Sequence, residues 1–170
     1  DMGLEARTNF VTPTQKGRPL NKLMKQLRIP YSDFLLSPQN YSLIQFPDKT
    51  IKFTNEIDYL IEEINHQFPE EIDGFIRLLD HIRSFNEVDL NNETIMAKTV
   101  VRNFIKNDLL VEMIFCPLLI YGSAWENDMD FSQFVIMFKS IFLEGFSRPK
   151  GGVRTIIDLL LNRFNQLGGE

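Results

Sequence analysis

Two neighbouring glycines near the carboxyl end, Gly151 and Gly152, are the residues whose backbone could take part in chemistry. Without Cβ atoms their backbone can come close to a ligand, and a helix that follows them offers free N–H groups at its positive end. The apolar positions of that predicted helix have helical spacing; they are Val153, Ile156, Ile157, Leu160, Leu161, Phe164 and Leu167. Gly168 and Gly169 are predicted to end it. A turn followed by a core helix explains the same residues without a ligand.

Catalytic side chains are not predicted. Glu62 and Glu63 are adjacent carboxylates on a predicted helix, and adjacent side chains point in different directions, so they do not form an acid/base pair. The chain contains no dinucleotide fingerprint, P-loop, nucleophile elbow or zinc-protease motif. The candidate chemistry is therefore binding, not acid/base or nucleophilic catalysis.

Metal binding is not predicted either. His66 and His81 lie on neighbouring predicted helices, but neither has a carboxylate or cysteine at ligand spacing on an apolar face. The single cysteine, Cys116, lies in an apolar run and is predicted to be a buried, inert thiol.

Two apolar stretches could line a cavity for a long apolar ligand. The run 109–121 is almost wholly apolar, and Pro117 within it is predicted to kink or end its helix. A Phe-rich stripe at helical spacing follows, and Asp130 is predicted to cap that helix. The candidate substrate-binding residues are Phe115, Leu119, Phe131, Phe134 and Phe138. Core packing explains each residue singly, whereas the set is also typical of a pocket wall.

Size and composition predict one globular domain. The chain has 170 residues, 44% of them hydrophobic, and 15 are Phe, which suits an aromatic-rich or partly hollow interior. The net charge of −5 argues against a general nucleic-acid binder, which needs a basic surface. The expected setting is the reducing cytoplasm, because no apolar run reaches the ~20 residues of a membrane span.

One segment, from Lys16 to Arg28, is rich in basic residues. Its charged positions are Lys16, Arg18, Lys22, Lys25 and Arg28. A solvated helix face accounts for these residues. The alternative is contact with anionic phosphates or with anionic lipid, and contact with lipid would make the protein a peripheral membrane protein.

The pattern of elements predicts an α+β fold that is predominantly helical, with roughly six helices and a small antiparallel hairpin. Pro19 suits the first turn of a helix that continues to Leu27. The apolar runs 42–46 and 51–53 flank a Pro-Asp turn and are predicted to form the hairpin. Asn55 is predicted to cap the next helix, and a later helix is expected over 95–105.

The tail sequence P-K-G-G-V, followed by an apolar helix and L-G-G-E, resembles the P-x-G-G-M…G-G motif of a known family. That family is the phytoene desaturase-like branch of the FAD-dependent amine oxidase superfamily, which includes carotenoid desaturases, carotenoid isomerases and retinol saturases. The opening D-M-G is similar to the D-x-G that follows its first flavin-binding segment. The order of elements between these two motifs also fits.

The resemblance implies that residues 1–170 form the substrate-binding domain of a larger FAD-dependent oxidoreductase, excised from its Rossmann flavin domain. Gly3, Gly151 and Gly152 would lie beside the FAD of the full-length protein, and the fragment alone would be inactive and without FAD. Val153 stands where many members have Met, and Arg148 where an aromatic residue is common. Desaturase, isomerase and amine oxidase activities therefore all stay open, as does the electron acceptor. A different class of function is also open: a non-enzymatic helical module that binds a lipid or a partner helix in an apolar groove.

Overall fold

Helices predominate in the fold, and the prediction of an α+β class with α dominant is confirmed. The computed structural model describes residues 10–11, 19–120 and 125–169. In these ranges the chain forms seven α-helices, one three-stranded sheet and one two-stranded sheet. The chain divides into two compact units: unit 1 is Asp1–Gln39 with Glu144–Glu170, and unit 2 is Asn40–Leu143. The expectation of a single domain over 1–170 stays a prediction.

Unit 1 combines both ends of the chain. Its described elements are β1 (Phe10–Val11), α1 (Pro19–Leu27), a 3₁₀ turn (Tyr31–Phe34), β2 (Leu36–Pro38), β5 (Phe146–Pro149) and α7 (Val153–Gln166). Helix α1 has the bounds that the sequence predicts. A small core holds the unit together, in which Met24, Ile29 and Phe34 are buried and Ile156 and Leu159 of α7 pack against them.

The sheet of unit 1 has β5 at its centre. Strand β1 pairs antiparallel with β5, with Phe10 opposite Ser147. Strand β2 pairs antiparallel with the other edge of β5, with Ser37 opposite Arg148. Because β5 leads directly into the glycine pair, this pairing fixes the backbone that enters Gly151 and Gly152.

Unit 2 contains the predicted hairpin and the remaining helices. Its elements are β3 (Ser42–Gln45), β4 (Thr50–Phe53), α2 (Ile57–Gln67), α3 (Ile72–Ser84), α4 (Ala97–Val101), α5 (Asp108–Leu119) and α6 (Phe131–Phe138). The hairpin is confirmed, with Ile44 opposite Ile51. Apolar side chains of the hairpin and helices form the core, where the Phe53 and Phe142 rings meet edge to face at 5.0 Å.

Four local predictions are wrong in whole or in part. Pro117 does not end α5, which continues to Leu119, and the predicted kink stays a prediction; the proline removes the N–H that would bond the Met113 carbonyl, yet the helix ends only two residues later. Cys116 is exposed, not buried, since it lies on the outer side of that helix. Glu56 stands at the N-cap of α2, so Asn55 is not its cap. The helix expected over 95–105 is limited to Ala97–Val101.

Candidate functional site

The turn between β5 and α7 is the candidate site, and its shape depends on glycine. Gly151 has φ +89° and Gly152 φ +75°, both in the region that side chains with a Cβ atom rarely adopt. Gly152 occupies the N-cap of α7 with ψ −161°, a conformation that is essentially restricted to glycine. The sequence predicted a bare glycine backbone before a helix; the positive φ values were not part of that prediction.

Three hydrogen bonds stabilise the turn. The Gly152 N–H donates to the Pro149 carbonyl at 2.9 Å, and the Lys150 N–H donates to the Leu35 carbonyl at 3.1 Å. The Thr155 hydroxyl donates to the Lys150 carbonyl at 2.8 Å. A Cβ atom on Gly151 would lie 2.9 Å from that hydroxyl oxygen. Substitution at Gly151 would therefore disturb both the backbone conformation and the bond that anchors it.

An open depression of about 330 Å³ lies beside the turn. It is lined by Ser37 and by the continuous segment from Arg148 to Gly152. Arg148 and Lys150 are the charged members of this lining, and both are cationic. One Arg148 guanidinium nitrogen lies 3.8 Å from the position that a Gly152 Cβ would take. Together with the helix start, these groups make the depression positive and rich in hydrogen-bond donors, which suits an electron-rich or anionic group.

The third glycine predicted to contact the cofactor, Gly3, lies outside the described residues. Strand β1 begins at Phe10, seven residues after it. Since β1 pairs with β5, the strand that follows Gly3 in sequence lies beside the strand that precedes Gly151. The D-M-G motif lies outside the described residues, so its position relative to Gly151 stays a prediction.

Four of the five predicted substrate-binding residues lie together in unit 2. The Phe134 ring stacks on Phe115 at 4.9 Å and on Phe131 at 5.8 Å, and it contacts Phe138 at 5.7 Å. Phe131 is 4% exposed, and the other three rings are fully buried. Leu119 is half-buried at the end of α5. The rings pack against one another as a core does, and their contact with a substrate stays a prediction.

Helix α7 exists as predicted, but the expectation that its apolar residues form part of a core is largely wrong. Ile156 and Leu159 pack against the core of unit 1. The other apolar positions of the helix are between 40% and 70% exposed; these are Val153, Ile157, Leu160, Leu161, Phe164 and Leu167. The apolar arc is wider than the surface it packs on, so most of it faces outward.

The predicted glycine stop of α7 is confirmed in detail. The Gly168 N–H donates to the Asn165 carbonyl at 3.0 Å, and the Gly169 N–H donates to the Phe164 carbonyl at 3.1 Å. This pair of bonds is the Schellman motif. Gly168 has the φ of +80° that the motif requires, and the Phe164 ring lies where a Gly169 side chain would be.

Sequence reasoning missed Ser37 as part of the depression. It lies more than a hundred residues before Arg148 and reaches it only through the pairing of β2 with β5. It also missed Lys98, whose ammonium lies 2.6 Å from the Glu112 carboxylate and 5.3 Å from the centre of the Phe115 ring. An isolated lysine at an apolar helix position is the signal that could have identified Lys98.

Within the described ranges, no group of three or more His, Cys, Asp or Glu side chains could hold a metal ion. The His81 ring stacks between Phe104 and Phe131 at 5.3 and 5.5 Å. No helix in the described part of the chain is long and apolar enough to cross a bilayer.

Comparison of the chain with protein-family models, with curated proteins and with solved structures gives no match.

Proposed function

We propose that this chain is the substrate-binding domain of an FAD-dependent oxidoreductase of the phytoene desaturase-like class, acting on an apolar substrate. The observation that carries the proposal is the Gly151–Gly152 turn. Both glycines have positive φ, and the turn opens onto a depression with cationic side chains at the start of a fourteen-residue helix.

The residues of the turn fit such a cofactor. Gly151 and Gly152 leave the backbone bare, so a flat ring can approach without meeting a Cβ atom. Ser37, Arg148 and Lys150 supply donors and positive charge for flavin oxygens and for the negative charge of a reduced flavin. When bound, FAD accepts a hydride from the substrate or exchanges electrons with it. This assigns the redox chemistry to the cofactor and leaves binding and orientation to the domain.

The aromatic cluster of unit 2 is the proposed surface for the apolar substrate. Phe115, Leu119, Phe131, Phe134 and Phe138 are its members. Fully buried rings contact a substrate only if it displaces some of their mutual packing, so Leu119 and Phe131 are the members best placed to meet one first. Desaturase, isomerase and amine oxidase remain alternative activities, because Arg148 and Val153 depart from the family motif.

The proposed setting is the cytoplasm. The chain has one cysteine, Cys116, which is exposed on α5, and a reducing compartment would keep this thiol reduced.

The test is the visible absorption spectrum of the polypeptide that the whole gene encodes, purified and reconstituted with FAD. Flavin bands that remain after gel filtration are expected. Their absence after reconstitution would overturn the proposal. The 170-residue chain alone is expected to retain no FAD.

Two matched glycine variants sharpen the test. Gly152→Val is expected to lower the flavin content of the full-length protein, because it places a side chain beside Arg148 and strains the turn. Gly168→Val creates the same kind of backbone strain at φ +80°, where no atom lies within 4 Å of the added Cβ. Equal flavin loss in both variants would mean that strain, not the site, controls binding.

A further inference from the structure

Helix α7 carries an exposed apolar surface along one side. We define the α7 stripe as Val153, Ile157, Leu160, Leu161 and Phe164. Their exposed fractions are 44%, 40%, 40%, 51% and 51%. Residues spaced by three and four positions lie above one another on a helix, so these side chains form one continuous surface. The neighbouring arc of the helix packs on the core of unit 1 and holds the stripe in place.

The two units differ strongly in charge. Unit 1 has ten Lys and Arg against six Asp and Glu, a net charge of +4. Unit 2 has eight Lys and Arg residues and seventeen Asp and Glu residues, a net charge of −9. The overall charge of −5 therefore conceals a basic unit, and the α7 stripe lies on that unit.

Basic side chains lie close to the stripe. Arg154 is exposed in the first turn of α7, and Lys150 precedes that turn. The Arg163 side chain donates to the Leu27 carbonyl at 2.9 Å, so the end of the basic helix α1 lies against α7. Lys25, in the last turn of α1, is exposed.

We propose that the α7 stripe docks on the surface of an anionic bilayer. An apolar helix face with Lys and Arg beside it lies in the interface plane, where apolar side chains enter the acyl boundary and cations meet the headgroups. Anionic lipids attract each nearby basic residue and repel acidic ones. Unit 1 has the charge that this surface requires, and unit 2 has the opposite charge.

The same charge argues against a second copy as the occupant. Contact between two α7 stripes would bring together two copies of unit 1, each with a net charge of +4. Their repulsion opposes the free energy gained by burying the apolar side chains. The proposal does not depend on the flavin domain, since it rests on exposure and charge alone.

Co-sedimentation of the 170-residue chain with vesicles tests the proposal. One set contains phosphatidylcholine alone, and the other contains about one third phosphatidylserine, a strongly anionic composition. Binding to the anionic vesicles is expected, with weak binding to neutral ones and loss of binding at high salt, because screening removes the attraction. Equal binding to both sets, or none to the anionic set, would overturn the proposal.

Matched variants locate the contact. The double variant Leu160→Ser/Leu161→Ser is expected to bind more than about tenfold more weakly, and Arg154→Glu about tenfold or more. Glu in the first turn is compatible with the helix dipole, so Arg154→Glu leaves α7 folded. The controls are Leu90→Ser and Arg77→Glu, exposed residues of unit 2 that should leave binding unchanged. Circular dichroism checks that each variant keeps its helix content.

Two further outcomes would overturn the proposal. Sedimentation velocity could reveal a dimer that the double leucine variant dissociates, which would make the stripe a contact between copies. In the whole-gene polypeptide, the double leucine variant could lose FAD while vesicle binding stays unchanged, which would make the stripe a contact with the flavin domain. A failure of the proposed flavin function leaves vesicle binding unaffected, so the two proposals fail separately.

Discussion

The carboxylate of Glu71 accepts a hydrogen bond at 2.8 Å from the backbone N–H of Asn107. Its second oxygen accepts the N–H of Lys106 at 2.9 Å. Asn107 is the N-cap of α5, where its side chain accepts the Leu110 N–H at 3.2 Å. One buried carboxylate before α3 thus fixes the start of the helix that carries Phe115.

Replacement of Glu71 by Ala is expected to lower the free energy of unfolding by about 2–4 kcal/mol, because it leaves two part-buried N–H groups without their acceptor. Urea denaturation measures the change. The control is Glu70→Ala, an exposed neighbour that should change the free energy of unfolding by less than about 0.5 kcal/mol. Equal effects of the two substitutions would contradict the role given to Glu71.

Gly74 of α3 is required for close packing rather than for its backbone conformation. A Cβ atom at this position would collide with the Phe104 carbonyl oxygen. Gly74→Ala is therefore expected to lower the free energy of unfolding by about 1–3 kcal/mol, the usual cost of overpacking. Alanine is otherwise the better helix former by about 1 kcal/mol, so a stabilised variant in urea denaturation would show that the contact is not tight. Arg77→Ala, an exposed site on the same helix, is the control.

Local signals predicted the elements well and their partners poorly. Pro19 and the periodicity after it gave α1, and Asp130 caps α6 as expected by accepting the Ser132 N–H at 3.1 Å. The stripe of α7 was expected in a core because periodicity identifies apolar residues without saying what covers them. Pro117 was expected to kink or end its helix, but α5 continues past it to Leu119 with the loss of one backbone N–H donor.

The candidate site was also predicted only in part. The glycine pair before α7 was singled out from the sequence because it leaves the backbone bare, whereas the positive φ values of Gly151 and Gly152 come from the structure. The position of Ser37 beside Arg148 could not be predicted, because the pairing of β2 with β5 joins segments far apart in the chain and leaves no local sequence signature. Antiparallel register is set by the whole sheet, not by either strand alone.

Phe134 contacts the other three rings of the aromatic cluster and is fully buried. Phe134→Ala is expected to lower the free energy of unfolding by about 3–5 kcal/mol, because it removes a large apolar side chain and leaves a cavity. Ile136→Ala, on the same helix but 43% exposed, should cost less than about 1 kcal/mol. Urea denaturation of both variants provides the comparison. Similar costs would show that the cluster is not a tightly packed core.

Lys139 and Glu87 form an ion pair of 2.7 Å in unit 2, with each side chain 22% exposed. Lys139 also donates to the Phe85 carbonyl at 3.2 Å. Burial raises the pKa of Glu87, but the hydrogen bond from Lys139, a backbone hydrogen bond and the Lys139 charge together outweigh it. The pKa of Glu87 therefore lies below its ordinary value of 4.5.

When folding lowers the pKa of a carboxylate, the ionised group stabilises the folded state at every pH above the pKa that it has in the unfolded chain. This stabilisation is lost as the pH falls through the pKa that the group has in the folded state. Glu87→Gln is therefore expected to lower the free energy of unfolding by about 0.5–1 kcal/mol at neutral pH. The difference between variant and parent should shrink as the pH falls below 4.5 and vanish once Glu87 is protonated. Urea denaturation across this range measures it, with Glu93→Gln, an exposed glutamate in the loop after Glu87, as the control. A difference that stays constant with pH would mean that packing, not the charge of Glu87, accounts for the stabilisation.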